Sequence, residues 1–140
     1  MTERAAGTTA LLAANEAFYR AFVGGDIEEM ENLWSGTASV ACIHPGWNAL
    51  RGREAVLASW RSIMGSGQIP RVVCANPTVH IVGEAGFVLC EERVGAAVLI
   101  ATNIFALEGD AWKMVHHHSA PVPQEAFVVV PGSDENRSLN

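Results

Sequence analysis

Toward the C-terminal end the chain reads Trp112-Lys113-Met114-Val115-His116-His117-His118-Ser119-Ala120-Pro121, three successive histidines in an otherwise apolar run. A strand points alternate side chains to opposite faces, so His116 and His118 share one face while His117 takes the other. Two imidazoles side by side, each titrating near neutral pH, can act as general acid and general base, which makes His116 and His118 candidate catalytic residues. The competing role for either ring is to sit half solvated at a sheet edge. His44, set between an apolar stretch and Pro45-Gly46-Trp47, is a third candidate base. Its alternative role is that of a loop histidine bonded to backbone. A metal centre would need a third protein ligand for His116 and His118, and the available groups, His44, His80 and Glu91, are distant in sequence. Imidazole hydrogen bonding is the favoured use, and no metal is expected.

Glu91 and Arg93 stand two residues apart in an apolar stretch with Phe87 and Leu89. On a strand they share one face, and Glu92 takes the other. If the Glu91 and Arg93 face lines a pocket, both charges are desolvated and must be paired, with each other or with a ligand. A guanidinium fork suits a carboxylate, so Arg93 is the candidate anchor of an anionic ligand, with a structural salt bridge to Glu91 as the alternative. Trp34, Trp47 and Trp60 each offer a large apolar body with one N–H donor. Trp60 has the helical spacing of a core residue, whereas Trp47 sits in an irregular segment beside His44 and is a candidate ligand contact. Tyr19 and Asn103 complete the candidate ligand-binding set.

The elements that must position these groups follow from hydrophobic periodicity. Leu11, Ala14, Phe18 and Phe22 mark a helix from about Thr8 to Val23, stopped by Gly24-Gly25. Asp26 caps a second helix, Ile27 to about Trp34, with Glu28 and Glu29 in its first turn. A first strand, Ala38–Ile43, precedes the Pro-Gly segment, and a third helix opens near Arg53 and ends at Gly65-Ser66-Gly67. Four strands follow, Arg71–Val82, Phe87–Val94, Ala97–Leu107 and Ala111–Pro121, joined by tight turns as an antiparallel meander. Ala97–Leu107 is apolar on both faces, which implies that the sheet is covered on both sides. Three helices cover one face, so a second copy of the chain is expected on the other. Phe127–Val130 is a possible edge strand or swapped segment, and residues 131–140 read as a solvated tail.

Composition narrows the function classes. The 140 residues are 49% hydrophobic and 17% charged, apolar for one soluble domain, which suits an oligomer interface or a pocket. Lys113 is the only lysine, the eight arginines are scattered, and the net charge is −6, so nucleic acid is not an expected partner. No stretch approaches a membrane span or a signal-peptide core, and a cytoplasmic location is expected. Cys42, Cys74 and Cys90 are unclustered and embedded in apolar strands, as reduced core thiols are. No glycine motif for nucleotide phosphates is present, which argues against the usual hydride and phosphoryl chemistries and against a cofactor.

The order helix, Gly-Asp, short helix, strand, helix and four antiparallel strands resembles the nuclear transport factor 2-like superfamily. The string Asn76-Pro77-Thr78-Val79-His80-Ile81-Val82-Gly83, then Arg93, then Gly109-Asp110-Ala111-Trp112 and the histidine strand resemble the association domain of calcium/calmodulin-dependent kinase II and its free-standing bacterial relatives. The resemblance covers residues from about 8 to 123, leaving 124–140 as an extension. It implies an α+β, cystatin-like cone in which three N-terminal helices pack on one curved antiparallel sheet, a homodimer formed through the outer sheet face, and a polar-lined pocket. In the association domain a pocket arginine falls at Arg93 and a second falls at Asn103, so half of that clamp is changed here. Ketosteroid isomerases are similar over the helical half, but their tyrosine position holds Phe18 and their base falls on Cys42 or His44. Polyketide cyclase-like relatives work with histidine and aspartate or arginine. Two functions are therefore expected: a pocket protein for a small anionic or hydrophobic ligand, or alternatively a cofactorless lyase, isomerase or hydrolase on a small hydrophobic carbonyl compound with a histidine base.

Overall fold

The computed structural model describes residues 7–123. Helix α1 (Thr8–Gly24) buries Leu11, Asn15, Phe18 and Phe22, spaced four, three and four apart along one stripe. It ends at Gly25, whose φ of 68° is the left-handed geometry that closes a helix without a Cβ clash. Asp26 then caps α2 (Ile27–Leu33), its carboxylate accepting from the Glu29 N–H at 3.1 Å. Strands β1 (Ala41–Ile43) and β2 (Leu50–Arg51) flank the Pro-Gly segment, and α3 (Arg53–Met64) buries Val56, Leu57, Trp60 and Met64. The meander follows as β3 (Val73–Val82), β4 (Ala85–Val94), β5 (Ala97–Glu108) and β6 (Ala111–Pro121).

The first strand begins later than its apolar pattern suggests. The Ser35 hydroxyl accepts from the Thr37 and Ala38 N–H groups at 3.2 and 2.9 Å, turning residues that would otherwise extend. The expectations placed on 127–130 and on the tail lie outside the described residues.

The six strands form one curved, open sheet in the order β2-β1-β6-β5-β4-β3, with the three helices packed on its inner face. It is not wholly antiparallel, because β1 pairs with β6 in parallel. No hairpin joins those two strands, and the long intervening chain leaves their relative direction free. Two bulges set which side chains face the helices. In β3 the ladder slips between Ala75 and Thr78, where Asn76 adopts φ 52° and Pro77 offers no donor. In β6 Met114 pairs with Phe105 and His116 with Ile104, so Val115 is an extra residue. Alternation therefore restarts at that point: Trp112 and Met114 face inward before it, His117 and Ser119 after it.

Leu11, Phe18, Trp34, Trp60, Phe105 and Met114 fill the space between helices and sheet. Leu89 and Ile100 point outward and stay about 40% exposed (38% and 40%), so the outer face carries apolar side chains left uncovered within one chain.

Candidate functional site

The inward residues of β4, β5 and β6 meet α1 and α3 around a cavity of about 210 Å³. Its walls are mostly apolar: Phe22, Trp60 and Ile63 from the helices, Val72, Val94 and Leu99 from the sheet side, and Pro45 and half-exposed Trp47 near the opening. Three polar side chains with titratable groups line it, His44, Glu92 and His117.

A hydrogen-bond chain behind the wall fixes their protons. Tyr19 donates its O–H to Glu92 Oε2 at 2.6 Å, and Ser119 donates to Glu92 Oε1 at 2.6 Å. Having given its only hydrogen, Tyr19 accepts from Asn103 Nδ2 at 3.1 Å, and the same amide nitrogen donates to Asn15 Oδ1 at 2.9 Å. The Asn103 carbonyl oxygen, 2.6 Å from His117 Nδ1, is then an acceptor, so that nitrogen carries the ring hydrogen. Burial lowers the His117 pKa to about 3, the ring stays neutral at pH 7, and Nε2 presents a bare lone pair 4.0 Å from Glu92 Oε2. That approach is consequently no salt bridge. Tyr19 is pushed well above the ordinary tyrosine range, by burial first and then by the charge of Glu92.

His44 repeats the pattern nearer the opening. Ser59 gives its hydrogen to the Val56 carbonyl at 2.7 Å, so His44 Nε2, 2.8 Å from the Ser59 oxygen, is the donor. Burial lowers its pKa to about 4. The ring lies edge-on to Trp47 and Trp60, each with centroids 4.7 Å away. The Trp60 indole N–H makes no hydrogen bond of ordinary length; its influence falls on Cys42. The Cys42 thiol is pushed up to about 12 by burial, and Cys90 is raised by the neighbouring Cys74 thiol and by burial. Neither supplies a thiolate nucleophile at neutral pH.

Of the residues singled out from the sequence, His44 and Trp47 come together at the cavity, while Tyr19 and Asn103 stand behind its wall as the groups that orient Glu92 and His117. The others are elsewhere. Arg93 and Glu91 are on the outer face, where a fork of 2.6 and 3.0 Å joins them, and Arg93 is exposed to solvent. It is a structural ion pair and not a buried anchor, because Gly86, Val88, Cys90 and Glu92 form the inward parity of β4. His116 and His118 do share a face, with ring centroids 6.4 Å apart, but it is again the outer one. Burial and neighbouring His118 lower the His116 pKa. The Val115 bulge reverses the strand's parity, which is why His117 and not the pair enters the cavity. Glu92 and His117 line the cavity instead: alternation separates each from its neighbours, as observed, but does not say which of the two faces looks inward. A signal for Glu92 existed: Gly86 shares its parity, and a glycine inside a strand marks close approach of another element, here Leu11 of α1.

The SnoaL-like domain family model matches residues 11–124. A solved structure from Streptomyces avermitilis, provisionally named a dehydratase of the nuclear transport factor 2-like family, is similar at 30% identity with a TM-score of 0.75, covering 88% of this chain and 99% of that one. A structure from Thiobacillus denitrificans, provisionally named a calcium/calmodulin-dependent protein kinase type II association domain, is 32% identical with a TM-score of 0.68, covering 79% and 94%. F-box protein SKIP8 of Arabidopsis thaliana is 26% identical over 117 residues, 82% of this chain. The chain spans about half (51%) of that curated relative's length.

Proposed function

The chain belongs to the SnoaL-like domain family, and from that premise we propose that it binds one small, largely apolar molecule in the cavity between sheet and helices. The observation that carries this reading is the cavity itself, walled by aromatic and aliphatic side chains and bearing the buried, oriented pair Glu92 and His117. Its 210 Å³ is below the roughly 300–1,000 Å³ of pockets for drug-sized ligands and above the roughly 150 Å³ that accepts benzene, which suits a single substituted ring. A thermal-shift series of single-ring compounds tests it: binders raise the melting temperature in wild type and lose that effect in Trp60→Ala. Absence of any shift across the series at millimolar concentration would refute it.

A second reading, a cofactorless lyase, isomerase or hydrolase acting on a small carbonyl compound, is favoured by the fixed tautomer of His117. Its Nε2 lone pair is held toward the cavity by the Asn103 bond, and a neutral imidazole of set orientation can take a proton from a bound substrate, as a weak base because burial holds its pKa at about 3. His44 is the second base candidate. The provisional dehydratase name of the Streptomyces avermitilis relative supports the same class. Incubation with small cyclic ketones in D2O would reveal base action as loss of α-proton NMR signal, expected to vanish in His117→Gln. Exchange that persists in that variant removes His117 from the role.

The apolar outer face is proposed to pair with a second copy of the chain, a reading supported by the association-domain name of the Thiobacillus denitrificans relative. Among the described residues no helix is long and apolar enough to cross a membrane. Three free thiols suit the reducing cytoplasm as the compartment.

A further inference from the structure

The hydrogen inventory at the closed end of the cavity restricts the ligand's chemistry. Glu92 accepts one hydrogen on each oxygen, from Tyr19 and Ser119, and a carboxylate has about four acceptor sites, so two remain. His117 Nε2 has a lone pair and no hydrogen, because Nδ1 holds it for Asn103. Two acceptors therefore face each other across 4.0 Å. A single donor atom can sit at hydrogen-bond distance, about 2.8 Å, from both, provided that it carries two hydrogens. An alcohol has one and leaves an acceptor unmatched, a carboxylate has none, a primary amide nitrogen or a water has two but no charge, and an ammonium group has three. Charge points the same way. No arginine or lysine lines the cavity among the described residues, so the Glu92 carboxylate has no cationic partner there. Phe22, Trp47 and Trp60 line the same cavity, and aromatic rings favour a cation over an anion. The net charge of −6 also draws cations to the molecule and repels anions.

We infer that the closed end of this cavity is a site for a primary ammonium group, seated between Glu92 and His117 Nε2, on a ligand whose single ring fills the aromatic part. This rests on the reading of the cavity as a small-molecule site and replaces the anionic ligand expected from Arg93 with a cationic one.

Isothermal titration of the full chain at pH 7 with benzylamine, benzyl alcohol, benzoate and toluene tests it. Benzylammonium should bind at least about tenfold more tightly than benzyl alcohol, the scale of one charge-assisted hydrogen bond, and benzoate should not bind. Glu92→Gln should bring benzylammonium to the level of benzyl alcohol. The wild-type ranking stands as a test even if that variant fails to fold. Benzyl alcohol or toluene binding as tightly as benzylammonium, or benzoate binding better than either, would overturn the ammonium site while leaving the small-molecule cavity intact. Failure of all four to bind would overturn both.

Discussion

His117 and His44 are neutral rings held in a folded environment that resists their protonation, and this has a pH signature. In the unfolded chain each takes a proton near pH 6.5; in the folded protein the values are about 3 and about 4. Between those limits the unfolded state binds more protons, so stability rises with pH and is lost as the pH falls below about 6.5. At pH 5 each ring should have removed about 2 kcal/mol, at roughly 1.4 kcal/mol per pH unit. Urea midpoints at pH 7, 6 and 5 would show the decline, and His117→Asn should reduce it by about half, leaving the share of His44. A wild-type midpoint constant over that range would contradict the buried, neutral assignment. The residue types of this site were legible in the sequence, since His44, Trp47, Tyr19 and Asn103 were all singled out. Which of two adjacent charged residues faces inward was not, because β4 is apolar on both faces and alternation alone cannot choose between Glu92 and its neighbours.

At the scale of elements, the close approach of α1 to β4 explains why Gly86 is a glycine. A Cβ there would lie 2.5 Å from Leu11 Cδ2 and 3.2 Å from the His80 carbonyl oxygen, and Leu11 is fully buried (0%) with nowhere to retreat. Gly86→Ala should therefore destabilise the protein by about 1–3 kcal/mol. Adding Leu11→Ala should cost less than the sum of the two single changes, because the second removes the clash made by the first. Denaturant titration of the four proteins checks the coupling, and strict additivity would refute the contact. Helix and hairpin boundaries were readable because caps and tight turns are local: Asp26, Gly25, Gly83-Glu84 and Gly109-Asp110 each act on a few neighbouring residues. The parallel pairing of β1 with β6 and the two bulges were not readable, since each depends on partners about 75 residues away or on one residue's accommodation in a ladder.

For the whole molecule, the proposed pairing of outer faces predicts a dimer in sedimentation velocity at micromolar concentration. Ile100→Lys, on a strand whose outward neighbours are Glu91 and Ala120, should shift it to monomer without unfolding it, as a charge in the centre of an apolar contact does. A wild-type monomer at that concentration would count against the pairing. The histidine run has a last consequence at this scale. Inserting one residue into an unbulged β6 swaps its faces, and in most strands that would replace a working side chain with an unrelated one. Here the swap would exchange one imidazole for another: with the Val115 bulge His117 enters the cavity, and without it His116 and His118 would. Three identical side chains in a row mean that a one-residue slip of this segment still turns an imidazole toward the cavity, while Ser119 would turn away from Glu92, so that the slip would cost a hydrogen bond and not the ring.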